Sequence, residues 1–278
     1  MNNYRFWNNT LGWTTFVVAL ITYTLTLEPT VSFWDCGEYI TTSVKLEVGH
    51  PPGAPVFQLI ANVMSQLALG DVTRQAYWVN FTSGLSSALS IPFLFWTITM
   101  LAKKLVRGEE SLGQNIAILG SGLVGALAFT WSDSFWYSAV EGEVYAMSSF
   151  FTAAAFWAAL KWEAAADHDP RANRWLLLVA YLTGLSIGVH ILVFLIIPAV
   201  VMIYFYKNYP KVTLRTWVVA NAAAVVVLAL VFAVIIPVIL RLFGLFEITA
   251  VNSIGLPKNS GSALMALAIV AGVYFGIR

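Results

Sequence analysis

The chain has 278 residues, of which 59% are hydrophobic and 10% charged, with a mean hydropathy of +0.77 and a formal net charge of +1. Soluble domains carry about 25% charged residues, so this composition excludes a soluble enzyme, a nucleic-acid partner and a disordered module, and the near-zero charge excludes a strongly basic working surface. The single cysteine, Cys36, permits no internal disulfide, and the class that remains is an all-α, polytopic membrane protein.

A helix needs about 20 apolar residues to cross the hydrocarbon layer. The first run near that length is Leu11–Leu27, which lacks a small-residue cleavage site before Glu28-Pro29 and so reads as a retained span, not a signal peptide. Asn8-Asn9-Thr10 ahead of it matches a glycosylation acceptor, but on the inner side, where chance is the better explanation. Residues 28–75 form the longest polar interruption, a first outer loop containing Trp34-Asp35-Cys36-Gly37-Glu38-Tyr39 and Gly49-His50-Pro51-Pro52-Gly53-Ala54-Pro55. On a helix, Asp35 and Glu38 share one face, and desolvation and mutual repulsion beside Trp34 and Tyr39 are expected to raise their pKa into the range useful to a base. By spacing alone, two solvated acids and a turn histidine account for Asp35, Glu38 and His50 as well. The prolines stiffen the turn, and Val56–Leu69, at 14 residues, is too short to span. Its Leu59, Ile60, Val63 and Leu67 recur at helical spacing, with Gln58, Asn62 and Gln66 on another face, which predicts an amphipathic helix lying in the interface.

Ala76–Leu101 and Ile116–Trp131 are the next predicted spans, and Glu141-Gly142-Glu143-Val144-Tyr145 opens another, Val144–Leu160. Read as helix, Glu141 and Tyr145 share a face while Glu143 points elsewhere, although a helix N-terminus favours acids in any case. Trp175–Tyr206 would be about 48 Å long as one helix, well beyond a core of about 30 Å. It therefore reads as two short spans turning at Gly188–His190. Trp217–Leu240 follows with Arg241 at its outer end, and Ala263–Ile277 stops with the sequence, so the chain is expected to be the N-terminal portion of a longer protein. Residues 1–278 are thus read as one transmembrane domain of about eight spans.

Charge sets the orientation. With the N-terminus inside, the inner segments carry Arg5, Lys103, Lys104, Arg107, Lys161, Arg171, Arg174, Lys207, Lys211 and Arg215, ten of the 15 basic residues, and Arg278 also ends inside. Lys45, Arg74, Arg241 and Lys258 fall outside. So do nine of the 14 acids: Glu28, Asp35, Glu38, Glu47, Asp71, Asp133, Glu141, Glu143 and Glu247. Acids contribute little to orientation, so their gathering points to work on the outer face.

A first outer loop with an acidic motif, His-Pro-Pro and an in-plane helix resembles the GT-C superfamily of membrane glycosyltransferases. Within it, Phe33–Tyr39 and Gly49–Pro55 look closest to the protein O-mannosyltransferase-like family common in Bacteroidota, which has a metazoan relative. Glu141–Tyr145 and Gly184–His190 fit as well. Members tend to be longer, with more spans and often a soluble C-terminal region. The resemblance implies a GT-C-like bundle in the bacterial inner membrane with its site facing the periplasm. It implies transfer of a sugar, mannose, from a polyprenyl-phosphate donor to a Ser/Thr hydroxyl of an exported protein, with inversion. Asp35 matches the general base, and Glu38 would hold the acceptor or steady that base. The leaving lipid phosphate is already a stable anion, so one carboxylate suffices where glycosidases need two. The phosphate needs a cation or donor, for which Arg241, Lys45, His50 and His190 are the candidates, and Glu141 and Tyr145 are candidates for the sugar or acceptor. No cofactor is implied, although two acids could hold a divalent ion. A secondary transporter would place ionisable groups near mid-membrane, whereas the centres of these spans carry almost no charge. A non-catalytic scaffold would tolerate loss of Asp35 and Glu38 together.

Overall fold

A computed structural model describes residues 3–106, 111–209 and 211–277. Arg107 and Arg278, counted above among the inner basic residues, lie outside the described residues. Among the described residues the chain forms twelve α-helices linked by 3-10 and π turns, without a strand. It divides into two compact units, Met1–Pro210 and Lys211–Arg278.

Four helical stretches among the described residues are long and apolar enough to cross a membrane: Val72–Leu105, Leu112–Thr130, Ile191–Asn208 and Leu214–Ser253. Arg174–Ser186 and Ser260–Gly276 are apolar but shorter. Helices α1 (Tyr4–Leu25) and α7 (Val144–Ala165) have 22 residues each, about 33 Å, but interleave Asn, Thr and Ser with their apolar residues. Of the roughly eight spans expected, four qualify by both length and apolarity among the described residues.

In the first unit, α4 (Gln75–Leu105) is the central element, packed by α1, α5 (Leu112–Thr130), α6 (Asp133–Val140) and α7. Its buried stretch Ser83, Gly84, Ser86, Ser87 and Ala88 is small, which lets neighbouring backbones approach closely. Ser86 and Ser90 donate to the carbonyls four residues back, at 2.7 and 3.0 Å, so these buried hydroxyls are satisfied within the helix. Ala19, Tyr23, Ile91, Phe95 and Phe135 form one core, and the Tyr23 hydroxyl donates to Thr130 O at 2.9 Å. A second core, of Cys36, Ile40, Phe57, Val79, Val144, Met147 and Val193, lies beneath the acidic loop. After α8 (Arg174–Ser186) the chain turns through Ile187–His190 into a 3-10 turn, Ile191–Leu195, and α9 (Ile196–Asn208). The break falls at the glycine-histidine turn that the length of Trp175–Tyr206 requires.

The first polar loop folds as α2 (Cys36–Lys45) and α3 (Pro55–Ser65). In α3 the polar face is the inward one. Phe57, Gln58 and Ala61 are buried, while Leu59, Ile60 and Val63 are 57%, 41% and 68% exposed. Asn62 Nδ2 donates to Ser43 O and Val44 O at 2.9 and 3.0 Å, so α3 caps the carbonyl end of α2.

In the second unit, α10 (Leu214–Leu230) and α11 (Ile236–Ile248) join with two π turns into one continuous run of 40 residues, Leu214–Ser253, longer than the predicted Trp217–Leu240. Glu247 accepts from Asn259 N, Ser262 N and Ser262 Oγ at 2.6, 2.9 and 3.2 Å, tying α11 to the start of α12 (Ser260–Ile277).

Candidate active site

Asp35 is the residue before α2, and its loop is fastened from behind. Asn80, fully buried on α4, donates through Nδ2 to Glu28 O and Thr30 O at 2.7 and 2.8 Å, and Glu28 N donates to Val140 O at 3.0 Å. Trp34 sits in the left-handed region with φ 60°, its side chain 88% exposed beside Asp35, a conformation that L side chains adopt only at a cost. One turn into α2 comes Glu38. The helix ends on Leu46, also left-handed at φ 53°, and the chain doubles back to bring His50 onto Glu38. His50 N donates to Glu38 Oε1 at 2.5 Å, and His50 Nδ1 lies 3.0 Å from Oε2. These bonds hold the Glu38 carboxyl below the ordinary carboxylate range and raise the His50 imidazole above its own. The expectation that both first-loop acids are raised is thereby corrected for Glu38.

Ligand atoms of Asp35, Glu38 and His50 lie within 4.8 Å of one another. Such a set could hold a divalent ion, which would have to take the place of the contact between His50 Nδ1 and Glu38.

A second acidic segment faces the first. Glu141 and Glu143 are extended, at φ −129°, ψ 156° and φ −126°, ψ 152°, because α6 ends at Val140 and α7 begins only at Val144. The helical pairing of Glu141 with Tyr145 therefore fails: the backbone is extended at Glu141 and Glu143 and becomes helical only from Val144. Glu141 is buried and accepts a hydrogen bond from Ser32 Oγ. Glu143 is buried too, its backbone N–H 3.2 Å from Ser83 Oγ, which donates to Glu143 O at 3.0 Å. Burial first, then Glu141 and Asp35, push the Glu143 carboxyl up to about 7, and the opposing cation is His50. Between Glu141 and Glu143, Gly142 leaves no room for a side chain: a Cβ there would lie 2.8 Å from Asn80 Oδ1.

Tyr39 joins the two acidic segments. Its ring lies 5.9 Å from His50 and 5.6 Å from Phe57, and burial with the nearby Glu143 and Asp35 pushes its phenol up to about 12, so it keeps its proton as a donor. Tyr145 stacks obliquely on His190 at 5.2 Å. His190 Nδ1 accepts from Leu192 N at 3.2 Å, which leaves the ring proton on Nε2. Gly188, whose O accepts from Val56 N at 2.7 Å, seats this turn on the start of α3. Tyr145 and Leu192 also line an apolar cavity of about 490 Å³ that runs down α4 and α7 past Leu94, Ser149 and Phe156.

The fold thus brings Asp35, Glu38 and His50 together, and Tyr145 and His190 together. It leaves Lys45 apart. Lys45 is at the far end of α2, about 15 Å from Asp35 at the helical rise. Arg241 lies within the continuous run Leu214–Ser253 of the second unit, not at a helix end. The sequence reading missed Glu143 and the fastening residues Asn80, Ser83 and Ser32. Their signal was available in part: Asn80 and Ser83 are polar, three apart, in a helix otherwise apolar enough to span.

A family model described as Protein O-mannosyl-transferase TMEM260 N-terminal domain matches residues 35–213, from the candidate base through the end of the first unit. Among curated relatives, the Dictyostelium discoideum protein O-mannosyl-transferase tmem260 is 27% identical over 138 residues, half of this chain and 15% of the relative. The Mus musculus protein O-mannosyl-transferase TMEM260 is 31% identical over 137 residues, 49% of this chain and 17% of the relative. No solved structure matches. The matched span, holding both acidic segments and the His190 turn, makes this chain a member of the TMEM260 N-terminal domain family of protein O-mannosyl-transferases.

Proposed function

We propose that the chain is the catalytic portion of a GT-C-type membrane glycosyltransferase. It moves mannose from a polyprenyl-phosphate donor to a Ser/Thr hydroxyl of an exported protein on the periplasmic side of a bacterial inner membrane. The observation that carries this reading is the meeting of two acidic segments, around Asp35 and around Glu143, at the head of an apolar cavity.

Asp35 takes the proton of the acceptor hydroxyl as that oxygen forms its bond to the anomeric carbon. The bond from that carbon to the phosphate oxygen breaks, the electron pair leaves with the lipid phosphate, and the configuration inverts. Asp35 suits the role because its carboxyl is exposed to an incoming acceptor, whereas both oxygens of Glu38 face His50. Glu38 is then a positioning residue that fixes the His-Pro-Pro turn. His190, with Nε2–H free of its local bond, and the phenol of Tyr39 supply neutral donors for the sugar or phosphate, and the cavity beneath Tyr145 suits the first isoprene units. The names of the relatives, both protein O-mannosyl-transferases, support mannose and a protein acceptor.

The test is transfer of mannose from polyprenyl-phosphate mannose to a Ser/Thr peptide by the purified full chain, read by mass spectrometry. Asp35→Asn is expected to lose about 10²–10⁴-fold in turnover with insertion and thermal stability unchanged. Transfer at the unaltered rate by Asp35→Asn overturns the assignment of the base, and proteoliposome uptake of a solute without any transfer overturns the enzyme.

A further inference from the structure

The first unit has a second cavity, at the other end of its helices. From Val144 to Lys161 along α7 is about 26 Å, and from Asn80 to Trp96 along α4 about 24 Å, close to the thickness of a hydrocarbon core of about 30 Å. The cavity, about 590 Å³, opens between the start of α1, the later half of α4 and α7, with Asn8, Asn9, Trp13, Phe150, Trp157 and Lys161 in its wall.

Its polar corner is unfinished. The Lys161 ammonium lies 5.8 Å from the centroid of Trp157 and 5.5 Å from that of Trp175. Indole faces attract a cation but give its three N–H donors no lone pair of the kind an oxygen offers. Three other cations near this end have carboxylates: Lys104 has Glu163, Lys207 has Asp167 at 2.6 Å, and Arg174 has Asp169 at 3.0 Å. Among the described residues no carboxylate pairs with Lys161. Across the cavity, the backbone O of Asn8 is already held by Trp96 Nε1 at 3.1 Å. The corner thus lacks an anion for Lys161, above walls of aromatic carbon.

We propose that this cavity binds an anionic glycerophospholipid, its phosphate on Lys161 and one acyl chain along Trp13 and Phe150. Charge complementarity selects the anionic class, and the distance from the acidic segments separates this lipid from the sugar donor.

The full chain, in phosphatidylcholine nanodiscs with and without phosphatidylglycerol, is followed by thermal unfolding. Phosphatidylglycerol is expected to raise the midpoint by about 3 °C in the unaltered chain, in Lys161→Arg and in Lys104→Gln, and to lose most of that effect in Lys161→Gln. A full shift in Lys161→Gln, or no shift in the unaltered chain, overturns the proposal. The same shift from inorganic phosphate in detergent assigns the corner to a free anion, and the same shift from polyprenyl phosphate assigns it to the donor lipid; either overturns it. Should Lys161→Gln fail to fold, native mass spectrometry of the unaltered chain decides: retention of phosphatidylglycerol over phosphatidylcholine by about tenfold supports the site, and equal retention overturns it.

Discussion

At the end of the first unit where α7 finishes, cations and carboxylates meet in pairs, Lys104 with Glu163, Lys207 with Asp167 and Arg174 with Asp169. Where α7 begins, Asp35, Glu141 and Glu143 gather, and the cation acting on Glu143 is a histidine already bonded to Glu38. The paired end is ordinary surface electrostatics, in which each exposed pair contributes little. The acidic end is one where burial and like charge work against ionisation, an arrangement that stability alone does not favour and that marks candidate sites of chemistry. Polar groups are expended there on holding a shape: Asn80 on the loop before Asp35, Ser83 on the linker at Glu143, and His50 on Glu38.

The contrast can be broken most severely through activity. Asp35→Asn should cost about 10²–10⁴-fold in transfer, while Glu163→Gln at the paired end should leave the rate of mannosyl transfer unchanged; equal losses would erase the distinction. Next is Gly142→Ala, whose new Cβ would meet Asn80 Oδ1 at 2.8 Å. Asn80 cannot yield without releasing Glu28 and Thr30, so a cost of about 1–3 kcal/mol and a lower unfolding midpoint are expected. Glu143 predicts a pH dependence. Its folded pKa of about 7 lies above the ordinary carboxylate range, so between those values the folded chain binds more protons than the unfolded one. Its contribution to stability therefore falls as pH rises through that window and levels off above about 7. Unfolding midpoints measured across the window should show this slope in the unaltered chain and a flatter one in Glu143→Gln; identical slopes would remove Glu143 from the contrast. The smallest effect belongs to Lys104→Gln, less than about 1 kcal/mol in unfolding free energy.

Much of this was legible in the sequence. Helix-forming runs and the Gly188–His190 break followed from apolar length against bilayer thickness, and Asp35, Glu38 and His50 stood out as a motif before they stood together. What escaped depended on where helices start and stop. Glu143 was set aside because a helix was run through Glu141–Tyr145, whereas the helix begins one residue after Glu143, and a shift from helical to extended backbone reassigns which side chains are neighbours. Lys45 shared the loop with Asp35 but lies across the length of α2 from it, since sequence proximity says nothing about the end of a helix on which a residue falls. The inward polar face of α3 was readable as a pattern but not as a direction, because Asn62 finds its partners on α2 only after the loop has closed.

That direction has a mechanical consequence. Leu59, Ile60 and Val63 look outward from α3 while Asn62 grips the last turn of α2, so in a bilayer α3 behaves as a float to which the aspartate's own helix is moored. The height at which the float rides sets how far Asp35, the proposed base, stands above the acyl chains, and a thinner or thicker host membrane is expected to tune the proposed transfer.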